Sequence, residues 1–198
     1  KEIKMKNIYI ILIFIFSFTI FSCAKKSDTS STSTTSSPSH VAVGSSGTII
    51  TSSDGTTWTS MTSGTTEDLY GVTYANSTFV TVSGTLWNSI SGTILTSSDG
   101  TTWTSKTSGT TEDLYGVTYA NSTFVVVGTS GTILTSSDGT TWTSRTSGTS
   151  NYFAGVNYAN STFVTVGESG TILTSSDGTT WTSRTSGTTT HLWGVISR

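Results

Sequence analysis

Four copies of one heptapeptide place an aspartate four residues before a tryptophan. The first is Ser52-Ser53-Asp54-Gly55-Thr56-Thr57-Trp58, and the same string carries Asp99 and Trp103, Asp138 and Trp142, and Asp177 and Trp181. Carboxylates do acid–base chemistry when two of them flank one bond, roughly 5–9.5 Å apart in glycoside hydrolysis. These four sit one to a repeat, at hairpin tips, and do not pair. An aspartate at a turn accepts the backbone N–H groups just after it, which is a structural task. Its tryptophan supplies about 150–250 Å² of burial. The remaining acids that could make a pair are Glu168 with Asp113 or with Asp68. His40 and His191 are the only histidines and Cys23 the only cysteine, so no Cys/His metal cluster can be assembled. There is no Gly-x-x-x-x-Gly-Lys loop and no defensible Ser-His-Asp set. The residues therefore predict no metal, no cofactor and no catalytic group.

Composition narrows the setting. Of 198 residues, 83 are Ser or Thr, while Asp, Glu, Lys and Arg make up only 10%. Disordered chains are charge-rich and aromatic-poor; here 11% of residues are aromatic, six of them Trp, so something packs. From Val41 onward, Lys106, Arg145, Arg184 and Arg198 face nine acids. That balance, with no basic stripe, argues against a nucleic-acid partner.

The first forty residues read as an address. Lys1, Lys4 and Lys6 precede an almost wholly apolar run from Ile8 to Phe21, and then come Ser22 and Cys23. With Met5 as the start, the run is a signal peptide ending at residue 22, too short for a comfortable membrane span. Ile20-Phe21-Ser22-Cys23 resembles a bacterial lipobox, in the looser form of spirochaetal lipoproteins. That likeness implies acylation of Cys23, export, and anchoring to a membrane, on the outer membrane, the cell surface or the periplasmic side. Residues 23–39 form the lipidated cysteine and a Ser/Thr tether, since AKKSDTSSTSTTSSPS has no apolar period to offset the entropy of ordering it. The alternative is an uncleaved anchor helix with a bystander cysteine.

Residues 40–198 are the folded domain, and they repeat. GTIITSSDGTTWTS starts at Gly47, and GTILTSSDGTTWTS starts at Gly92, Gly131 and Gly170. The spacings are 45, 39 and 39, the longer one holding six extra residues within Ser83–Ser91. Alternating β-branched and aromatic residues between Gly, Asn and Ser clusters are strand grammar. Each unit reads as four strands, A to D; in one copy these are Leu114–Tyr119, Thr123–Gly128, Gly131–Ser136 and Thr141–Thr146. Ala-Asn-Ser gives a tight A–B turn, and Asp-Gly in the C–D link favours a primed hairpin turn. Four antiparallel strands in about 40 residues is the size of one propeller blade. Val41–Gly44 aligns with strand B and Leu192–Ile196 with strand A. The expectation is an all-β propeller of four four-stranded blades, closed by pairing the C-terminal strand with the N-terminal blade. A fragment of a longer array and half of a dimeric eight-bladed ring are the competing readings.

The aspartate heptapeptide resembles the Asp-box (BNR) repeat, although Gly follows Asp one residue earlier than in that pattern. With Val-x-Val-Gly and Gly-Thr-Ile-Leu upstream, Val41–Ile196 also resembles the photosystem II stability/assembly factor-like propellers. The likeness implies a fold more than a function, because Asp-box propellers include sialidases, glucanases, sorting receptors and assembly factors. A sialidase would need an arginine triad. Arg145 and Arg184 share the repeat position of Met61 and Lys106 on strand D, facing solvent, so no triad can be built.

Within a blade the A–B and C–D links share one end, and the B–C links and D–A crossovers share the other. The first end is uniform from copy to copy. The second varies, and any binding face is placed there, on Glu67, Asp68, Trp87, Glu112, Asp113, Asn151, Tyr152, Glu168 and His191. Trp87, in the inserted loop, reads either as a contact residue or as a plug over the channel mouth. Tyr70, Tyr115 and Trp193, which open strand A, read as core. The Glu-Asp pairs read as solvated charges rather than a calcium site. The functional expectation is a non-enzymatic binding or scaffold module with a protein or glycan partner. The alternatives are an Asp-box glycoside hydrolase, or a structural surface protein without a ligand.

Overall fold

A computed structural model describes residues 37–84 and 92–196. The chain divides into two compact units, Lys1–Thr34 and Thr35–Arg198, and all described residues belong to the second. The signal run, Cys23, nearly all of the tether and Trp87 lie outside the described residues. Among those residues, no helix is long and apolar enough to cross a membrane.

Among the described residues, fifteen strands form four antiparallel sheets. The first holds β1 (His40–Gly44), β2 (Thr48–Ser52) and β3 (Thr59–Met61). The second holds β4 (Asp68–Ala75), β5 (Thr78–Gly84), β6 (Ile94–Ser97) and β7 (Thr104–Lys106). The third holds β8 (Leu114–Ala120), β9 (Thr123–Gly128), β10 (Ile133–Ser136) and β11 (Thr143–Arg145). The fourth holds β12 (Phe153–Ala159), β13 (Thr162–Gly167), β14 (Ile172–Ser175) and β15 (Thr182–Arg184). Consecutive strands pair within each sheet, so each sheet is one blade of a β-propeller, as the repeat predicts.

The core lies between blades. Val80, Val82 and Ile94 of the second blade pack with Leu114, Phe124, Val126 and Leu134 of the third. Val125, Val127 and Ile133 then pack with Phe153, Phe163 and Leu173 of the fourth. Ile49 of the first blade meets Leu69 and Leu95 of the second. A strand whose residues pack on both faces reads as an unbroken apolar run, which is why Phe124-Val125-Val126-Val127 is fully buried.

Neighbouring A strands approach through a glycine. A Cβ on Gly71 would stand 3.0 Å from the Tyr115 carbonyl oxygen, and one on Gly116 would stand 3.3 Å from the Val156 nitrogen. Each glycine follows a β-bulge, with the register slipping between Leu69 and Gly71, between Leu114 and Gly116, and between Phe153 and Gly155. The Gly71 and Gly155 carbonyls accept hydrogen bonds from the buried hydroxyls of Thr81 (2.8 Å) and Thr165 (2.9 Å). Val126 holds the equivalent place in the third blade.

Four local details differ from the sequence reading. The A–B turns carry the primed geometry, with both central residues at positive φ, for example Asn121 at 47° and Ser122 at 57°. The C–D link is no two-residue hairpin. Thr135 pairs with Thr143, so Asp138-Gly139 sits inside a wide loop and β11 starts two residues later than expected. Strand C likewise starts at Ile133 because residues 129–131 form a 3₁₀ turn. Finally, residues 191–196 form no ladder and the first sheet keeps three strands. The Leu192 N–H donates instead to the Gly167 carbonyl at 2.9 Å. The Trp193 carbonyl then lies 3.3 Å from a Cβ built on Gly155, where the next A strand would run.

Gly116→Val should lower the unfolding free energy by about 1–3 kcal/mol, the usual cost of overpacking. Gly44→Ala, whose new Cβ meets nothing nearer than 3.9 Å, should be close to neutral. Urea unfolding of the two variants compares them directly.

Candidate functional site

At the uniform end, the aspartate loops are built from hydroxyls and amides. The Asp138 Oδ1 accepts the N–H of Thr140 at 2.8 Å, the N–H of Thr141 at 2.9 Å and the Ser136 hydroxyl at 2.9 Å. Ser136 Oγ in turn accepts the Gly139 N–H at 2.9 Å. Asp54, Asp99 and Asp177 repeat this pattern with their own serines and threonines. These backbone hydrogen bonds hold all four carboxyls far below the ordinary aspartate range. The glycine after each aspartate has φ of 73–75°, a region open to glycine without strain.

That glycine also wedges the loop between blades. A Cβ on Gly139 would meet Val80 of the preceding blade at 3.2 Å, and one on Gly178 would meet Val125 at 3.1 Å. Trp103, Trp142 and Trp181 lie half-buried near Phe79, Phe124 and Phe163 of their own blades, ring centres 6.2–6.4 Å apart. Trp58 is more exposed, at 40%, and meets His40 edge-on, because His40 stands where the other blades have phenylalanine. One oxygen of each carboxylate at this end is thus engaged in shaping its loop.

The opposite end gathers the variable residues. Most of those named from the sequence join one loop to another. Glu67 accepts the Ser83 hydroxyl, and Glu112 accepts that of Thr129 at 2.8 Å. Asp68 accepts the Ser46 N–H at 2.8 Å, and His191 Nδ1 accepts the Ser169 N–H at 3.3 Å, the same bond made by different residues at the same repeat position. Asn151 donates to Thr171 Oγ1 at 2.7 Å, and Glu168 accepts the Tyr152 N–H at 3.3 Å. Gly84 and Gly92, where the inserted loop departs and returns, abut Asp113 and Glu112. Trp87 itself is outside the described residues.

Among these residues Tyr152 alone lines the aromatic cleft of this end, about 470 Å³, shared with Tyr70, Tyr115, Ala154 and Trp193, whereas Asn151 and Glu67 line larger, more polar hollows between crossovers. Tyr70 and Tyr115 meet edge-to-face at 5.1 Å, and Tyr115 and Tyr152 do so at 6.4 Å. Tyr152 stacks on His191 at 5.6 Å and lies 6.2 Å from Trp193. The core assignment of Tyr70, Tyr115 and Trp193 is therefore corrected: Tyr70 is 38% and Trp193 71% exposed. The bulges are the cause. Tyr70, Tyr115 and Ala154 are the residues skipped in the register, so alternation no longer sends them into the core behind Leu69, Leu114 and Phe153. A bulge re-aims a side chain in this way.

The cleft is electronegative. Burial, the charge of Asp113, its neighbouring tyrosines and a hydrogen bond from its hydroxyl to Asp113 push the Tyr115 phenol up to about 12. Burial and the charges of Asp68 and Asp113 raise Tyr70, while burial and Glu168 raise Tyr152. Among the described residues the lysine and arginines are Lys106, Arg145 and Arg184, all on strand D and none lining the cleft. Arg145 and Arg184 each donate from Nε to a strand C threonine at 2.8 Å. Among the described residues there is also no group of three or more His, Cys, Asp or Glu able to hold a metal ion.

No family model and no curated protein matches the sequence. Solved structures do. YCF48 bound to a D1 peptide aligns at 18% identity and a TM-score of 0.59 over 78% of this chain and 52% of that one. YCF48 from Cyanidioschyzon merolae aligns at 15% identity and 0.53, over 73% and 55%. The computationally designed Ika8 protein aligns at 12% and 0.54, over 80% and 52%. The chain spans about half the length of each of these structures, and the likeness is one of fold.

Acid should unfold the protein through the aspartate loops. The unfolded chain takes up protons near the ordinary aspartate value of about 3.9, whereas the folded carboxyls resist until lower pH. Stability is therefore complete above about pH 4 and falls as pH drops below it. Asp138→Ala should lower the thermal midpoint at pH 7 and flatten its decline between about pH 4 and pH 2, read by calorimetry.

Proposed function

We propose that this chain is the propeller of an exported, membrane-anchored lipoprotein that binds a protein partner, without catalysis, through the end carrying the B–C links and D–A crossovers. One observation carries this reading. At that end successive repeats turn aromatic side chains out of the core and into a common cleft, while the aspartates of the other end are held by their own loop-forming hydrogen bonds. Concave, largely apolar sites with a few placed polar groups are where ligands bind, and exposed aromatic residues carry much of the energy of protein interfaces. One similar fold, YCF48, holds a peptide, which supports a protein partner here.

A non-catalytic role fits the carboxylates. Glu168 accepts a backbone amide, Asp68 accepts another on a different blade, and Asp113 takes the Tyr115 hydroxyl. A hydrolase would need two of them facing one bond.

Lipid attachment rests on the lipobox-like segment before Cys23. Growth of the producing bacterium with labelled palmitate should mark the full chain and leave Cys23→Ala unmarked; an unmarked wild type removes the anchor. The binding end is tested on one strand. Tyr70 and Tyr74 are both exposed, at opposite ends of β4. A photo-crosslinking benzoylphenylalanine in place of Tyr70 should trap a defined protein adduct in intact cells, and one in place of Tyr74 should not. Adducts from position 74 alone would move the interaction to the other end.

A further inference from the structure

The cleft exists because one ring is missing. Tyr70, Tyr115, Ala154 and Trp193 hold one repeat position in four successive A strands, and three are aromatic. Ala154 leaves the gap, and Tyr152, two residues earlier, lines it from the side. What remains is a hollow walled by aromatic rings, two of whose contacts are edge-to-face. Such packing leaves ring faces, the negative part of the quadrupole, available to an occupant.

The charges around it have one sign. Asp68 and Asp113 stand immediately before strand positions that feed Tyr70 and Tyr115, and Glu168 lies beside Tyr152. The cations among the described residues sit on strand D instead. An occupant that is flat, partly apolar and positively charged satisfies both the rings and the carboxylates; a neutral or acidic one satisfies neither as well. His191 stacks on Tyr152 at the rim, and its bond with Ser169 uses Nδ1 as acceptor, which the neutral ring supplies.

We infer that the cleft between Tyr70, Tyr115, Tyr152, Ala154 and Trp193 receives an arginine or lysine side chain from a basic segment of the partner protein. This rests on the interaction end proposed above and specifies what that end selects. A cation on an aromatic face gains about 0.5–1 kcal/mol when exposed and about 2 when desolvated, so removing its charge should weaken binding roughly 2- to 30-fold.

The test uses the full chain and fluorescein-labelled Gly/Ser heptapeptides carrying two arginines, two citrullines or two glutamates. Fluorescence anisotropy should show the arginine peptide binding roughly ten-fold tighter than the citrulline peptide. The glutamate peptide should bind more weakly still. Raising NaCl from about 0.05 M to about 0.5 M should weaken the arginine peptide. Ala154→Tyr, which restores the missing ring, should abolish binding while preserving the thermal midpoint. Asp113→Asn should weaken binding several-fold. Equal affinity for arginine and citrulline, tighter binding of glutamate, or no binding of the arginine peptide each overturns the inference. So does an arginine peptide indifferent to Ala154→Tyr. If a photoreactive group at position 70 still traps a protein while arginine and citrulline bind alike, the interaction end stands and its charge selectivity falls.

Discussion

Successive blades can share one structure only if their A strands come close, and a glycine marks each approach. At Gly71, Gly116 and Gly155 a Cβ would lie 3.0–3.3 Å from the neighbouring backbone. A larger side chain there would press on the clusters in which Val80, Val126, Leu134 and Phe163 are buried. The bulge before each glycine is coupled to this approach, because the extra residue bends the strand and frees a carbonyl. Thr81 and Thr165 cover that carbonyl with a hydroxyl. One local irregularity thus sets blade spacing, takes a buried hydroxyl partner in two of three blades and throws Tyr70 and Tyr115 outward.

The abundance of Ser and Thr has a related explanation. Short strands leave much backbone in links, and each buried amide or carbonyl there must find a partner. Ser52, Ser97, Ser136 and Ser175 are buried and serve the aspartate loops. Ser63, Ser108, Ser147 and Ser186 do the same where the chain leaves strand D, each donating to a carbonyl two residues on. Hydroxyls supply this bonding without the desolvation cost of a charge. Low charge and high hydroxyl content are consequences of building with small blades.

Strand grammar was legible in every expected strand but the last, residues 192–196, since alternation, turn residues and a 39-residue period are local properties. The split between a uniform and a variable end was legible too, because antiparallel pairing fixes which links lie together. Less legible was what the variable residues do. Glu67, Glu112, Asn151 and Asp68 differ among copies yet serve similar loop contacts, so variation alone did not separate contact residues from scaffold. Tyr70 and Tyr115 looked like core because they follow a buried leucine in an apolar run. The signal that could have found them is Tyr-Gly: a glycine next to an aromatic inside a strand marks a bulge or a close backbone approach.

By itself, the sequence determined the repeat, the strands, the turns and the shape of the aspartate loops, because each depends on residues within about ten positions of one another. Tertiary structure decided the rest. The cleft draws on residues 70, 115, 152, 154 and 193, which meet only after successive blades stack, with Ala154 standing where the other repeats carry a ring. The route of residues 191–196 was decided in the same way, by a hydrogen bond to Gly167 and the open side of Gly155. Side chains from separate repeats share a space only where backbone geometry points them there, and a one-residue bulge reverses that direction without changing the composition of the strand.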